Sequence, residues 1–186
     1  MNWTIRPAAA RDAAELSELA ERTFRDAFSE LNSRENMDLH CATTYSAEKQ
    51  AEEIARPDIY TIVGESHGRL VGFAQLHLRP DTPACVSASP AVELHRIYVE
   101  RRFHGTGLAG ELMGEVLERA DRHGAAAIWL GVWEHNPRAI RFYRRFGFSE
   151  AGDHVFKVGC DPQRDLVLVR SRVVQNRLFS REDDEG

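Results

Sequence analysis

The stretch from Glu93 to Gly110, ELHRIYVERRFHGTGLAG, constrains this chain more than any other. Val92 to Val99 alternates apolar residues and is rich in β-branched and aromatic types, which predicts a strand. A basic bend, Arg101-Arg102-Phe103-His104, follows, and Gly105-Thr106-Gly107-Leu108-Ala109-Gly110 then opens an amphipathic helix. Strand, glycine turn and helix N-terminus in that order make an anion site. Glycines let backbone N–H groups approach a phosphate closely, and the unpaired N–H groups and dipole of the first helical turn favour negative charge. A pyrophosphate is the ligand this pattern implies.

The rest of the chain sets that unit in an α/β arrangement. Trp3-Thr4-Ile5-Arg6 is a short strand closed by Pro7. Residues 10–28 carry a helical stripe at Ala13, Leu16, Leu19, Ala20, Phe24 and Phe28. The segment from Ser29 to Tyr45 is polar and mixed, a short helix or an ordered loop. Ser46 caps a further helix through Ile54, ended by Pro57. Ile59 to Gly64 and Leu70 to Leu78 form a hairpin around His67-Gly68, and 79–91, with three prolines, is a loop. After the glycine turn, a helix to about His123 buries Leu108, Leu112, Val116, Leu117 and Ala120, and Gly124 ends it. Ala127 to Trp133 reads as a central buried strand. Asn136-Pro137 starts a helix that turns Ala139, Ile140, Tyr143 and Phe146 inward. Phe148 to Val158 and Leu166 to Val169 close the fold as a strand pair. Residues 1–170 are expected to be one domain, and 171–186, ending in an acidic run, a flexible tail.

Composition narrows the function. The 186 residues allow one sizeable core, and a net charge of −5 offers no basic face for nucleic acid. Cys41, Cys85 and Cys160 are odd in number and far apart, so reduced thiols in a cytoplasmic protein are expected, with neither a disulfide framework nor a metal site. No apolar run approaches the ~18 residues of a membrane span, and the N-terminus is polar.

The glycine turn formally matches G-x-G-x-x-G of dinucleotide-binding domains. That reading needs two βαβ halves, and only one is present here, preceded by a meander. A Walker-type loop is excluded by the absence of GK[ST]. A glycine-rich connection that binds nothing is the bland alternative.

His104-Gly105-Thr106-Gly107-Leu108-Ala109 resembles the acetyl-CoA signature of the GNAT N-acetyltransferases. Downstream, Asn136-Pro137-Arg138-Ala139-Ile140-Arg141-Phe142-Tyr143-Arg144-Arg145-Phe146-Gly147-Phe148 resembles the family's second block. Two motifs in order, ~30 residues apart, are far more specific than either alone. Thr23-Phe24, the region from Asn32 to Met37, Ile128 to Glu134 and Asp165-Leu166 further resemble the PaiA-type spermidine/spermine N-acetyltransferases. The resemblance implies a mixed, mostly antiparallel central sheet with a splayed strand pair, flanked by helices. It implies acetyl-CoA as co-substrate and a small-molecule or peptide amine as partner, with a polyamine leading, and leaves a homodimer open. His104 departs from the family, standing where Arg or Gln is usual.

Under that resemblance the N–H groups of Gly105, Thr106, Gly107, Leu108 and Ala109 hold the pyrophosphate, with Arg101 and Arg102 adding positive charge. Pantetheine pairs along Ile97 and Val99 like an added strand, and the N–H of Tyr98 stabilises the oxyanion. Asn136 both caps its helix and contacts the cofactor, and the phenol of Tyr143 donates to the departing thiolate. Strand alternation places Glu93, His95, Ile97 and Val99 on one face, making Glu93 and His95 the candidate bases, with Glu134 and His135 further candidates at the mouth. Glu30, Glu35 and Asp38 wall the acceptor side. A non-catalytic acyl-CoA-binding module is the rival from another class, and protein N-termini or aminoglycoside antibiotics are rival acceptors.

Overall fold

The computed structural model describes residues 2–30, 32–158 and 160–172. Strand β1 (Thr4–Pro7) leads through a 3-10 turn to α1 (Ala13–Phe28), α2 (Arg34–Thr44) and α3 (Ala47–Ala55). The hairpin β2 (Ile59–Ser66) and β3 (Arg69–His77) follows, then β4 (Ala91–Val99), α4 (Leu108–His123), β5 (Ala127–Trp133), α5 (Pro137–Arg145), β6 (Ser149–Val158) and β7 (Asp161–Ser171). The expected tail lies outside the described residues from 173 onward.

Local chemistry sets the helix ends. Ser33, Ser46 and Asn136 each accept the N–H three residues on, satisfying one of the donors a helix start leaves free. Gly124 ends α4 in the left-handed conformation that glycine adopts without strain. The Ser29–Tyr45 segment resolves as α2, which buries Met37, His40 and Cys41 against α1. On α4 the buried stripe includes Met113, while Leu117 sits only at its edge.

The seven strands run in the order β1-β2-β3-β4-β5-β7-β6, antiparallel at every step except β4–β5. Helices α1–α3 cover one face around Phe24, Phe73 and Tyr45, and α4 packs on the other around Leu108, Leu112 and Leu130. Gly64 and Gly72 are paired across β2–β3, and a Cβ on either would stand 3.0–3.3 Å from the Leu108 side chain. Their bareness lets the first turn of α4 sit directly on the sheet, which places the glycine turn at the edge of the cleft.

Two irregularities in β4 create the site. Its parallel pairing with β5 covers only Ala91 to Glu93 against Ala127 to Trp129, and beyond Glu93 the two strands part. On its other edge, Leu94 pairs Leu76 while Arg96 pairs Gln75, so His95 is the extra residue of a β-bulge. The bulge corrects the expected alternation. Val92, Leu94, Ile97 and Val99 pack toward α4, whereas Glu93 and His95 lie with Arg96 and Tyr98 toward α1–α3. One inserted residue flips every side chain after it to the opposite face.

Candidate active site

The parted strands open a cleft of about 810 Å³, bounded by β4, β5, the glycine turn and α5, and on the α1–α3 side of the sheet by α1, α2, β6 and β7. At the glycine turn, Gly105 and Gly107 have φ of +77° and +106°. A Cβ at either would touch nothing within 4 Å, so backbone conformation alone demands glycine there. The N–H groups of Leu108, Ala109 and Gly110 precede the first helical bond, that of Glu111 to Gly107, and are free to face an anion. Thr106 departs from its expected role: its N–H and hydroxyl both donate to the Phe103 carbonyl, bracing the loop. Gly107→Ala is expected to cost about 1–2 kcal/mol of stability from the backbone alone and to weaken CoA binding. Thermal denaturation and a CoA titration would measure the two effects.

His104 is also used differently from expectation. Its Nε2 lies 2.9 Å from the Val99 carbonyl, which can only accept, so the proton is on Nε2. Nδ1 is therefore the acceptor for Arg138 Nη1 at 2.9 Å. With both ring nitrogens engaged, His104 does not offer a free donor to a pyrophosphate. It holds the guanidinium of Arg138 beside the glycine turn, a cation in place of the usual Arg or Gln.

Main-chain direction can be followed along β4. The N–H of Glu100 donates to Val71 in β3, and the carbonyl of Val99 faces the opposite way, toward His104. Alternation then turns the N–H groups of Ile97 and Val99 into the cleft and that of Tyr98 toward β3. Ile97 and Val99 are thus the edge that an extended amide chain can pair with. The N–H of Tyr98 is not a cleft donor; its half-buried side chain, with a phenol pushed up to about 12 by desolvation, lines the cleft on the α1–α3 side instead.

On the α1–α3 side, His95 Nδ1 lies 2.9 Å from Glu93 Oε1, and His77 Nδ1 lies 3.5 Å from Glu93 Oε2. Burial opposes the charge on Glu93, but the hydrogen bond from His95 and the nearby imidazoles prevail and hold its pKa below the usual carboxylate value. His77, desolvated and next to His95, is pushed down to about 4. Glu93 therefore stays an anion and His77 stays neutral at physiological pH. With Nδ1 engaged, Nε2 of His95 is the nitrogen left for the cleft, a base oriented by a carboxylate. The ligand atoms of all three lie within 4.8 Å of one another, close enough for a divalent ion. The two rings, however, stack at 4.2 Å with planes 22° apart, so their in-plane lone pairs run side by side and favour a shared carboxylate over a shared ion.

Tyr143 lines the cleft from α5, and desolvation holds its phenol protonated well above the ordinary range. No hydrogen bond among the described residues occupies its hydroxyl. Asn136 caps α5 through Oδ1 to the N–H of Ala139 at 3.1 Å and also borders the cleft. Of the three acidic candidates for the acceptor wall, only Glu30 borders it. Glu35 is exposed, and Asp38 pairs with Arg25 at 2.8 Å. Glu134 is taken by Arg164 at 2.8 Å, and neither it nor His135 borders the cleft. Sequence reasoning missed His77 and His154 as site residues, because each reaches the site only through pairing with a distant strand.

Comparison with known proteins places the chain. Residues 14–148 match the acetyltransferase (GNAT) family. An uncharacterized N-acetyltransferase of Mycobacterium tuberculosis is 35% identical over 162 residues, covering 87% of this chain and 99% of the relative. The spermine/spermidine N(1)-acetyltransferase of Bacillus subtilis is 33% identical over 87 residues, 46% of this chain and 57% of that protein. In structure, the PaiA N-acetyltransferase of Thermoplasma acidophilum, solved with coenzyme A, superposes with a TM-score of 0.75 at 22% identity, covering 92% of this chain and all of that one. No described helix is long and apolar enough to cross a membrane. Family match, near full-length relatives and the parted-strand fold agree, and this chain is a member of the GNAT family of acetyltransferases.

Proposed function

We propose that the protein moves an acetyl group from acetyl-CoA to a primary amine by direct attack on the thioester, with a polyamine as the leading acceptor. The observation that carries this reading is the placement of two kinds of group in one cleft. Free backbone donors stand at one end, and a carboxylate-oriented imidazole stands on the opposite side of the parted strands. The anion-binding turn suits the pyrophosphate of CoA, and Arg138 adds charge beside it. The N–H groups of Ile97 and Val99 suit the pantetheine amides, and the thioester then lies in the gap between β4 and β5.

An amine arrives as an ammonium with a pKa of about 10 and must lose a proton before it attacks. His95 Nε2 takes that proton, and the anionic Glu93 stabilises the imidazolium that forms. The nitrogen lone pair then adds to the thioester carbon, and a cleft-facing N–H of β4 receives the oxyanion. Collapse breaks the C–S bond; the Tyr143 hydroxyl gives its proton to the departing thiolate, and the proton shed by the newly acylated nitrogen restores the phenol. Tyr143→Phe is expected to lower kcat about tenfold to a hundredfold with little change in KM for acetyl-CoA, the signature of an interaction made late in the reaction. Unchanged turnover would remove that role.

The polyamine acceptor draws support from the partial likeness to the Bacillus subtilis enzyme and from the acidic residues Asp26 and Glu30 that border the cleft. Thiol release from acetyl-CoA across a panel of polyamines, simple amines, aminoglycosides and peptides is the deciding experiment. Tight CoA binding without turnover of any amine would favour a binding module instead.

A further inference from the structure

Asp165 is the unexplained group in the cleft. Its residue is only 8% exposed, and Oδ1 has no hydrogen-bond partner among the described residues. A buried polar atom left unpaired signals a missing partner. Asp165 pairs with Trp133 of β5 on one side and His154 of β6 on the other. Over Gly131, where a Cβ would be, stand Asp165 Oδ2 at 3.3 Å and His154 Nε2 at 2.7 Å, and that nitrogen too is buried without a partner. Glycine at 131 vacates the space into which both side chains fold, and all three residues line the acceptor side of the cleft.

The charges around Asp165 indicate what is missing. Its sequence neighbour Arg164 is turned away to Asp153 and Glu134, at 2.7 and 2.8 Å. Tyr98 of β4 and Tyr143 of α5 line the same cleft, His154 of β6 stands beside it over Gly131, and Glu134 adds like charge from just past the end of β5. Among the described residues no cation pairs with it. Glu93 is the last residue of β4 paired with β5, and the Asp165 carboxyl leans from β7 over Gly131, so the two carboxyl groups stand on facing walls of the gap where β4 and β5 part. A flexible acceptor with an ammonium at each end can reach both walls of the one cleft.

We infer that Asp165 receives the second ammonium of a diamine-type acceptor whose first nitrogen is the one deprotonated at His95 and Glu93. The inference rests on the amine-transfer reading and gives it a selectivity: acceptors with two cationic nitrogens are preferred over monoamines. Desolvation first, and then Glu134, push the Asp165 carboxyl up to about 7 in the ligand-free protein. A raised carboxyl contributes stability below its ordinary value near 3.8 and loses it as pH rises through about 7. Ligand-free Asp165→Asn is therefore expected to melt higher than wild type at pH 8, with the gap closing toward pH 4. Putrescine is expected to raise the melting temperature of the wild type at pH 8 and not that of the variant.

The test compares putrescine with butylamine, which has the same carbon chain and one nitrogen fewer. Wild type is expected to show a KM at least tenfold lower for putrescine, and Asp165→Asn is expected to change the ratio of the two KM values at least tenfold toward equality. Equal preference in wild type, or a ratio unmoved by the substitution, overturns the inference. Calorimetric titration of putrescine into the CoA complex reads the same site without turnover. Binding that is lost in Asp165→Asn supports the inference even where no acetyl transfer is found, an outcome that would sink only the transferase reading. No putrescine binding to wild type overturns it.

Discussion

Glu93→Gln and His95→Gln are each expected to lower turnover at pH 7 by about 10²- to 10⁴-fold, the usual contribution of a positioned base. The double variant is expected to be no slower than the slower single one. Residues that act as one unit are non-additive, because removing either member already disables the other. In Glu93→Gln the amide keeps the shape of the carboxylate but not its charge, so the imidazolium at His95 has no counter-ion. The loss also has a pH signature. Glu93 remains ionised, and His77, at about 4, remains neutral throughout the range above pH 5, so neither drives a rate change there in wild type. A variant without the base depends on amine already deprotonated in solution, whose fraction rises about tenfold per pH unit below about pH 10. Its rate should therefore climb steeply between pH 7 and 9 and approach that of wild type. Steady-state kinetics across that range check the point, and singles within threefold of wild type at pH 7 would remove the pair from the mechanism.

The second large effect is on stability. Glu53→Ala is expected to cost about 3–5 kcal/mol, the usual penalty for leaving a buried charge without its partner. Glu53 on α3 and Arg96 on β4 are both over nine-tenths buried and meet at 2.9 Å. Gln75 donates to the same Glu53 oxygen at 3.0 Å and accepts from Arg96 at 3.1 Å, while the guanidinium lies 5.2 Å from the Tyr45 ring centre. Against a typical total of about 5–15 kcal/mol, that loss is large. For a chain of this size it corresponds to a fall in Tm of roughly 6–20 °C. Adding Arg96→Met to Glu53→Ala is expected to restore part of it, because an apolar side chain replaces the stranded charge. Calorimetric melting of the single and double variants is the measurement. Arg96 is the residue directly after the bulged His95, so this ion pair also fixes the bulge, and Glu53→Ala should reduce turnover as well as stability.

Much of the architecture follows from short-range rules. The stripe Leu16, Leu19, Ala20 and Phe24, the serine caps at 33 and 46, the Asn136-Pro137 start and the glycine stop at 124 act within a few residues of themselves. The segment around α2 was ambiguous because its amphipathic signal is weak and its burial comes from α1 beside it. The glycine turn was readable as an anion site, but not the commitment of Thr106 to Phe103 or of His104 to Val99 and Arg138. Those bonds depend on how the bend folds back, and in the case of Arg138 on a helix 34 residues away.

By itself, then, the sequence determined the order of helices and strands, the glycine turn at the head of α4 and the presence of Glu93, His95 and Tyr143. These follow from hydrophobic period and turn chemistry, which are local. Tertiary structure alone decided which of these side chains meet. The bulge at His95 turned Glu93 and His95 away from Ile97 and Val99. Pairing across β3–β4 brought His77 to Glu93, and pairing through β5, β6 and β7 carried Asp165 and His154 over Gly131. Strand register is set by contacts between distant segments, and a shift of one residue reverses every face that follows it.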